Sequence, residues 1–141
     1  FPDISPEMRP FDFSDFKKEL PKNNVSIRST VKRFEFAPGI SRIDMVGDFL
    51  GAESTYFSEL VFEPNAISPN HYHPHHEESM FCLKGRLNAV YGEDDNIPLE
   101  AGDMFTCEIG VRHTVNNHGN HQGTLLAIHP VLNPPPKVMV D

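Results

Sequence analysis

Residues 70–85 read NHYHPHHEESMFCLKG, and within them His71 to Glu78 hold four histidines and two glutamates. An apolar run, Met80-Phe81-Cys82-Leu83, follows at once. On an extended chain, residues two apart point to the same side, so His71 and His73 can address one ion. Glu78 comes five residues after His73. A turn through His75 and His76 would start it on the next strand, facing the same interior. Two neutral imidazoles and a carboxylate form a donor set for a first-row divalent metal. Glu77 has the opposite parity and is expected in solvent, although a register slip of one would exchange it with Glu78. On this spacing alone, an exposed histidine cluster is an equally good reading.

A second stretch changes that balance. Residues 102–117 read GDMFTCEIGVRHTVNN: a glycine turn, a short strand, a second glycine turn and then His113. The two stretches together resemble the paired motifs of the cupin superfamily. The first motif runs Gly, five residues, His-x-His, four residues, Glu, six residues, Gly; it maps onto Asn65, His71, His73, Glu78 and Gly85. The second runs Gly, five residues, Pro-x-Gly, two residues, His, three residues, Asn; it maps onto Gly102, Glu108, Gly110, His113 and Asn117. Asn65 replaces a glycine, but asparagine tolerates positive φ. Glu108 replaces a proline at a position that shapes a turn and ligates nothing. The resemblance covers residues 40–130 and implies an all-β fold, a double-stranded β-helix or jelly-roll barrel. It also implies one divalent transition metal inside, held by His71, His73, Glu78 and, from across the barrel, His113. Fe(II) is the first expectation; Mn, Ni, Zn or Cu would suit the same donors. Up to two positions on an octahedral ion would stay open for water, dioxygen or substrate.

The rest of the chain agrees with that architecture. Thirteen prolines and nine glycines punctuate many short segments, the signature of an all-β domain. Strands are expected within VKRFEF and SRIDMV, and at 56–62, 79–83, 87–91, 104–107, 112–115, 124–129 and 138–140. The stretches at 64–65, 92–95, 101–102 and 116–119 read as turns. Residues 1–29 form an N-terminal arm, in which Ser14 and the following DFKKEL could make a short helix ended by Pro21. Residues 30–141 form a single cupin barrel. The four phenylalanines of the arm are too many to leave in water, and a homodimer that packs the arm on its partner is one expected use of them.

The formal net charge of −8 and the absence of a basic block argue against a nucleic-acid partner. No apolar run is long enough to cross a membrane. The expected location is the cytoplasm, with a cleaved leader left open. Cys82 and Cys107 are the only cysteines and read as buried free thiols. Met80 and Cys82 share parity with Glu78, and Val115 with His113; these three are the expected wall of a small-molecule pocket. His75, His76 and Glu78 are the only candidates for an acid or base, with His75 and His76 expected in a loop near the barrel mouth. His118 and His121 read as exposed and His129 as a rim residue. The face of Tyr91, Arg112 and the strand at 56–62 is not assigned.

A barrel of this kind does not fix a reaction. The first expectation is a dioxygenase acting on a small aromatic, enolic or polyketide-like substrate. The alternative is Lewis-acid chemistry without redox change, as in a cyclase, isomerase, decarboxylase or lyase. The third is a metal-dependent module that binds a small ligand without turnover. No cluster of arginine or lysine lies near the motifs in the sequence, which disfavours phosphorylated or dicarboxylate substrates.

Overall fold

The computed structural model describes residues 24–140. The arm's proposed helix and its phenylalanines lie outside the described residues. Eleven strands run in order: β1 (Phe34–Ala37), β2 (Ile40–Val46), β3 (Tyr56–Phe62), β4 (His71–Tyr72), β5 (Glu78–Lys84), β6 (Arg86–Tyr91), β7 (Asp94–Glu100), β8 (Met104–Cys107), β9 (His113–Asn116), β10 (Gly123–His129) and β11 (Val138–Met139). Among the described residues, short 3-10 turns lie at Arg28–Thr30, ahead of β1, and at Asp48–Leu50, between β2 and β3. Six strands form one antiparallel sheet in the order β1-β2-β3-β10-β5-β8, and five form the other in the order β11-β4-β9-β6-β7. The jelly-roll architecture expected from the sequence is the one observed.

Alternation along the strands places the core. In β5, Glu78, Met80 and Cys82 are buried, while Ser79 and Phe81 are only partly so. In β3, Ser58, Leu60 and Phe62 point inward. Ile40, Phe62, Leu87, Cys82, Cys107 and Val115 are all at most 2% exposed and pack between the two sheets. Burying side chains of this size contributes about 1.5–3 kcal/mol each. The closed apolar end of the sandwich is therefore a stable footing for the polar groups at its other end.

The turn at Asn65 carries φ of 68°, so asparagine does adopt the left-handed conformation that its glycine-like position requires. Gly85 has no such substitute. Its φ is +74°, and an added Cβ would meet the Gln122 carbonyl oxygen at 2.5 Å. Asn117 is fully buried and ties the sandwich together. Its side-chain amide donates to the carbonyls of Phe62, at 3.0 Å, and His121, at 2.9 Å, and its oxygen accepts from the Gly119 N–H at 2.9 Å.

β7 begins at Asp94, inside the stretch 92–95 whose composition reads as a turn. Acidic residues and Pro98 hid the strand. β7 is tolerated because it forms the edge of its sheet, where a missing N–H leaves no ladder partner unsatisfied.

Candidate metal centre

β4 is only two residues long, and neighbouring bonds hold it in place. His71 pairs directly with His113 of β9, and Met139 of β11 pairs with His71 on the other side. Just upstream, Ser68 Oγ lies 2.7 Å from Thr114 Oγ1 and accepts the Val115 N–H at 2.8 Å. Just downstream, the His73 carbonyl accepts the Gly110 N–H at 2.9 Å. These bonds fix the two histidine-bearing segments against each other. Glu78 enters from the opposite sheet, paired with Cys107. The expectation that His113 reaches across the barrel is thus corrected: His113 sits beside His71, and Glu78 makes the crossing.

The structure brings together the residues that the motifs single out. Ligand atoms of His71, His73, Glu78 and His113 all lie within 4.8 Å of one another, and all four residues are buried. His71 Nδ1–H donates to the Pro69 carbonyl at 2.7 Å, and His113 Nδ1–H to the Val111 carbonyl at 3.1 Å. In the neutral rings, both Nε2 atoms therefore carry lone pairs. His113 Nε2 faces Glu78 Oε1 at 3.0 Å, and His73 Nε2 faces the same oxygen at 3.2 Å. Lone pairs converging on a carboxylate oxygen repel unless a cation lies between them. A proton can answer one such contact, and a divalent metal can answer all of them. Burial pushes His71 down to about 4, with its bond to Pro69 opposing, so this imidazole is neutral and free to ligate at neutral pH. Burial alone would raise the Glu78 carboxyl, but protons on the facing nitrogens of His113, His129 and His73, where no other cation lies between, hold it well below the usual carboxylate range. The donor set fits a divalent metal on these grounds.

Sequence reading missed one member of the centre. His129 was expected at the rim, but it is buried at the end of β10, with Nε2 3.0 Å from Glu78 Oε2. His76 was expected at the mouth, but it is only 4% exposed, and its Nε2 lies 3.0 Å from His129 Nδ1. Burial first, and then the neighbouring charges of His73 and His129, push His76 down to about 4. A neutral His76 can then donate to His129 Nδ1, and His129 Nε2–H to Glu78. This ordering leaves Nδ1 of His76 as a buried acceptor, and it is without a partner. His75, by contrast, is exposed, as are Glu77, His118 and His121. No local signal marks His129, because it follows an ordinary apolar strand and meets Glu78 only through the β5–β10 pairing.

The centre opens into a cavity of about 670 Å³. Met80 and Val115 line it. Cys82, expected beside them, does not. It is one step further down β5, 0% exposed in the core, with its thiol directed toward the Lys84 and Gly85 carbonyls. Burial raises both thiols, away from the thiolate form that a nucleophile needs. Tyr91 is turned away, and its hydroxyl accepts the Glu108 N–H at 3.2 Å. The strand at 56–62 supplies Tyr56, Ser58, Leu60 and Phe62 to the cavity wall. Arg42 and Lys137, far from both motifs in sequence, complete it.

A β sandwich with histidine and glutamate ligands between its sheets is the architecture of cupins, and the chain belongs to that family: the cupin domain matches residues 58–129. Among curated proteins, it is similar to the polyketide synthase CurC of Streptomyces cyaneus, 28% identical over 63% of this chain and 57% of that protein. It is also similar to a probable germin-like protein, subfamily 2 member 5, of Arabidopsis thaliana, 32% identical over 50% of this chain and 35% of that one. The chain thus spans just over half of the first relative and about a third of the second. Among solved structures, the polyketide cyclase RemF from Streptomyces resistomycificus superposes with a TM-score of 0.73, at 21% identity, over 82% of this chain and 83% of RemF. A cupin-superfamily sugar phosphate isomerase from Silicibacter pomeroyi superposes with a TM-score of 0.67, at 21% identity, over 74% of each chain. Likenesses at this identity show the fold.

Proposed function

We propose that this protein is a metal-dependent cyclase, which closes a ring within a linear polyketone by aldol-type condensation and loss of water. The observation that carries this reading is the cavity: a histidine–carboxylate pole at the inner end of a pocket walled by Phe36, Leu60, Phe62, Met80 and Leu125. Such a pocket excludes water and folds an apolar chain, with one place for a carbonyl to bind. The likeness to a polyketide cyclase and to a polyketide synthase supports this reading over the dioxygenase expected first.

His71, His73, Glu78 and His113 would hold the metal. Bound there, a divalent ion supplies Lewis acidity toward a ketone oxygen. The protein's own groups do the rest. His129 Nε2–H on Glu78 Oε2 keeps the carboxylate anionic and fixes its plane. The bonds from His76 to His129 and from His129 to Glu78, in contacts of 3.0 Å, both point toward the carboxylate, so this line can deliver a proton to Glu78 and, through it, to the oxygen that leaves as water. Tyr56, whose hydroxyl is pushed up to about 12 by burial and by its bond to Asp44, stays neutral beside the cavity.

Protein loaded separately with zinc, manganese or iron, and given a nine-carbon linear tetraketone under argon, should yield an aromatic product lighter by one water. Oxygen uptake matched to substrate loss would instead favour the dioxygenase. Tight binding with no product on either test would favour a ligand-binding module.

A further inference from the structure

A second set of cavity groups, partly exposed where the histidines are buried, lies at the mouth. Lys137 Nζ rests 4.6 Å from the centre of the Phe36 ring, and the Arg42 guanidinium 5.5 Å from the same ring and 5.3 Å from that of Tyr56. Two cations therefore share one aromatic wall. Their charges are not equally answered. Arg42 Nε donates to Asp44 at 2.8 Å, and its other nitrogen reaches the Tyr56 hydroxyl. Among the described residues, Lys137 has no carboxylate partner, only the ring beneath it.

The backbone places this lysine deliberately. It immediately precedes β11, whose Val138 and Met139 pair with Tyr72 and His71. The Val140 N–H donates to the Asn70 carbonyl at 2.9 Å. The lysine is thus strapped by main-chain bonds to the strand that carries the first metal-site histidine. Pro134-Pro135-Pro136 stiffen the approach, so little freedom is left to withdraw it. A half-buried ammonium without an anion is costly to keep in an apolar wall. Burial lowers the Lys137 ammonium, the Glu78 charge opposes that, and Arg42 adds to the lowering.

We propose that Lys137, with Arg42 beside it, is a carboxylate-binding subsite, so that the substrate is an acid held by its carboxylate at the mouth and by its reacting ketone at the histidine pole. The inference rests on the cyclase reading for the second half of that statement only. Two cations and the Asp44 anion leave one net positive charge at the mouth. That matches a monoanionic carboxylate and falls short of a phosphate dianion.

The probes are an aryl β-diketone carrying a carboxylate at the far ring position, and its methyl ester, titrated calorimetrically into the full chain. The wild-type protein should bind the acid about ten-fold or more tightly than the ester. K137M should lose that preference and leave the ester's affinity unchanged, while K137R should retain it. Equal binding of acid and ester by the wild type, failure of both to bind, or a preference surviving in K137M would each overturn the subsite. Repeating the titrations on zinc-loaded and chelator-treated protein separates the two readings. Ester binding that ignores zinc counts against the metal pole, and an acid preference through Lys137 in both forms still upholds the subsite.

Discussion

At the inner end of the cavity, imidazoles and one carboxylate are held by main-chain hydrogen bonds and by one another. At the mouth, two cations lie on aromatic rings, with Asp44 as the carboxylate bonded to Arg42. The difference is one of rigidity and of sign. The inner end is anionic, and its donor atoms are fixed on paired strands, so it can impose geometry on a metal. The mouth is cationic and presents long side chains, which recognise charge and adapt to shape. Substitutions at one end should therefore leave the other's ligand almost untouched, and each test below probes that independence.

The largest effect is expected from His113→Ala. His113 is 1% exposed, and its Nε2 is one of the converging donors. Loss of a partner outside the metal's own ligands typically costs about 10–100-fold in affinity, so loss of a ligand should exceed that. Metal content after dialysis should fall to near background in this variant and stay at wild-type level in K137M. Equal losses in the two would merge the two ends into one site.

Next comes the coupling of metal to stability. An ion that binds only the folded chain adds about 2.7 kcal/mol when free metal is a hundred times Kd. Calorimetric melting with and without chelator should show that gain in the wild type and in K137M, but not in His113→Ala. A gain of the same size in His113→Ala would place the ion elsewhere.

A smaller effect is expected at His129. Removing its Nε2–H with alanine frees Glu78 Oε2 and should weaken metal binding by about 10–100-fold. Glutamine can place an amide N–H near the same point and should recover most of the loss. His76→Ala, one contact further out, should weaken binding less than His129→Ala. An alanine at 129 with wild-type metal affinity would remove the relay from the account of the centre.

The inner end was largely legible in sequence, and the mouth was not. His71, His73, Glu78 and His113 sit in two short motifs, because each strand pair needs a turn at a set distance, and turns show themselves through Gly85, Gly102 and Gly110. Parity along β5 placed Met80 on the cavity, but it could not say how deep the cavity runs, so Cys82 was placed in it wrongly. His129 and Lys137 arrive through pairings of β10 and β11 with strands distant in sequence, and Arg42 comes from β2, which pairs with its chain neighbour β3 but lies far from both motifs. No local pattern encodes those pairings. The absence of basic residues near the motifs was a true statement about sequence that the fold reversed in space.

The smallest effect should come from outside both ends. Glu59 faces the outer side of β3, yet it is only 4% exposed, because Arg28 and Arg33 close over it with bonds of 2.7–2.9 Å. The Arg28 bond is the main force holding its carboxyl below the ordinary 4.5; burial opposes, and Arg33 adds to the lowering. The folded carboxyl titrates below its unfolded counterpart, so its stabilisation is complete above 4.5 and fades as pH falls through the folded value. Arg28 reaches it from solvent, so screening should keep the contribution small. Glu59→Gln should flatten the acid side of a melting-temperature profile below that pH and leave metal content and acid preference at wild-type values. A loss of metal in this variant would mean that the outer face of the sheet sets the geometry of the inner one, and the independence of the two cavity ends would then be a property of strand order alone.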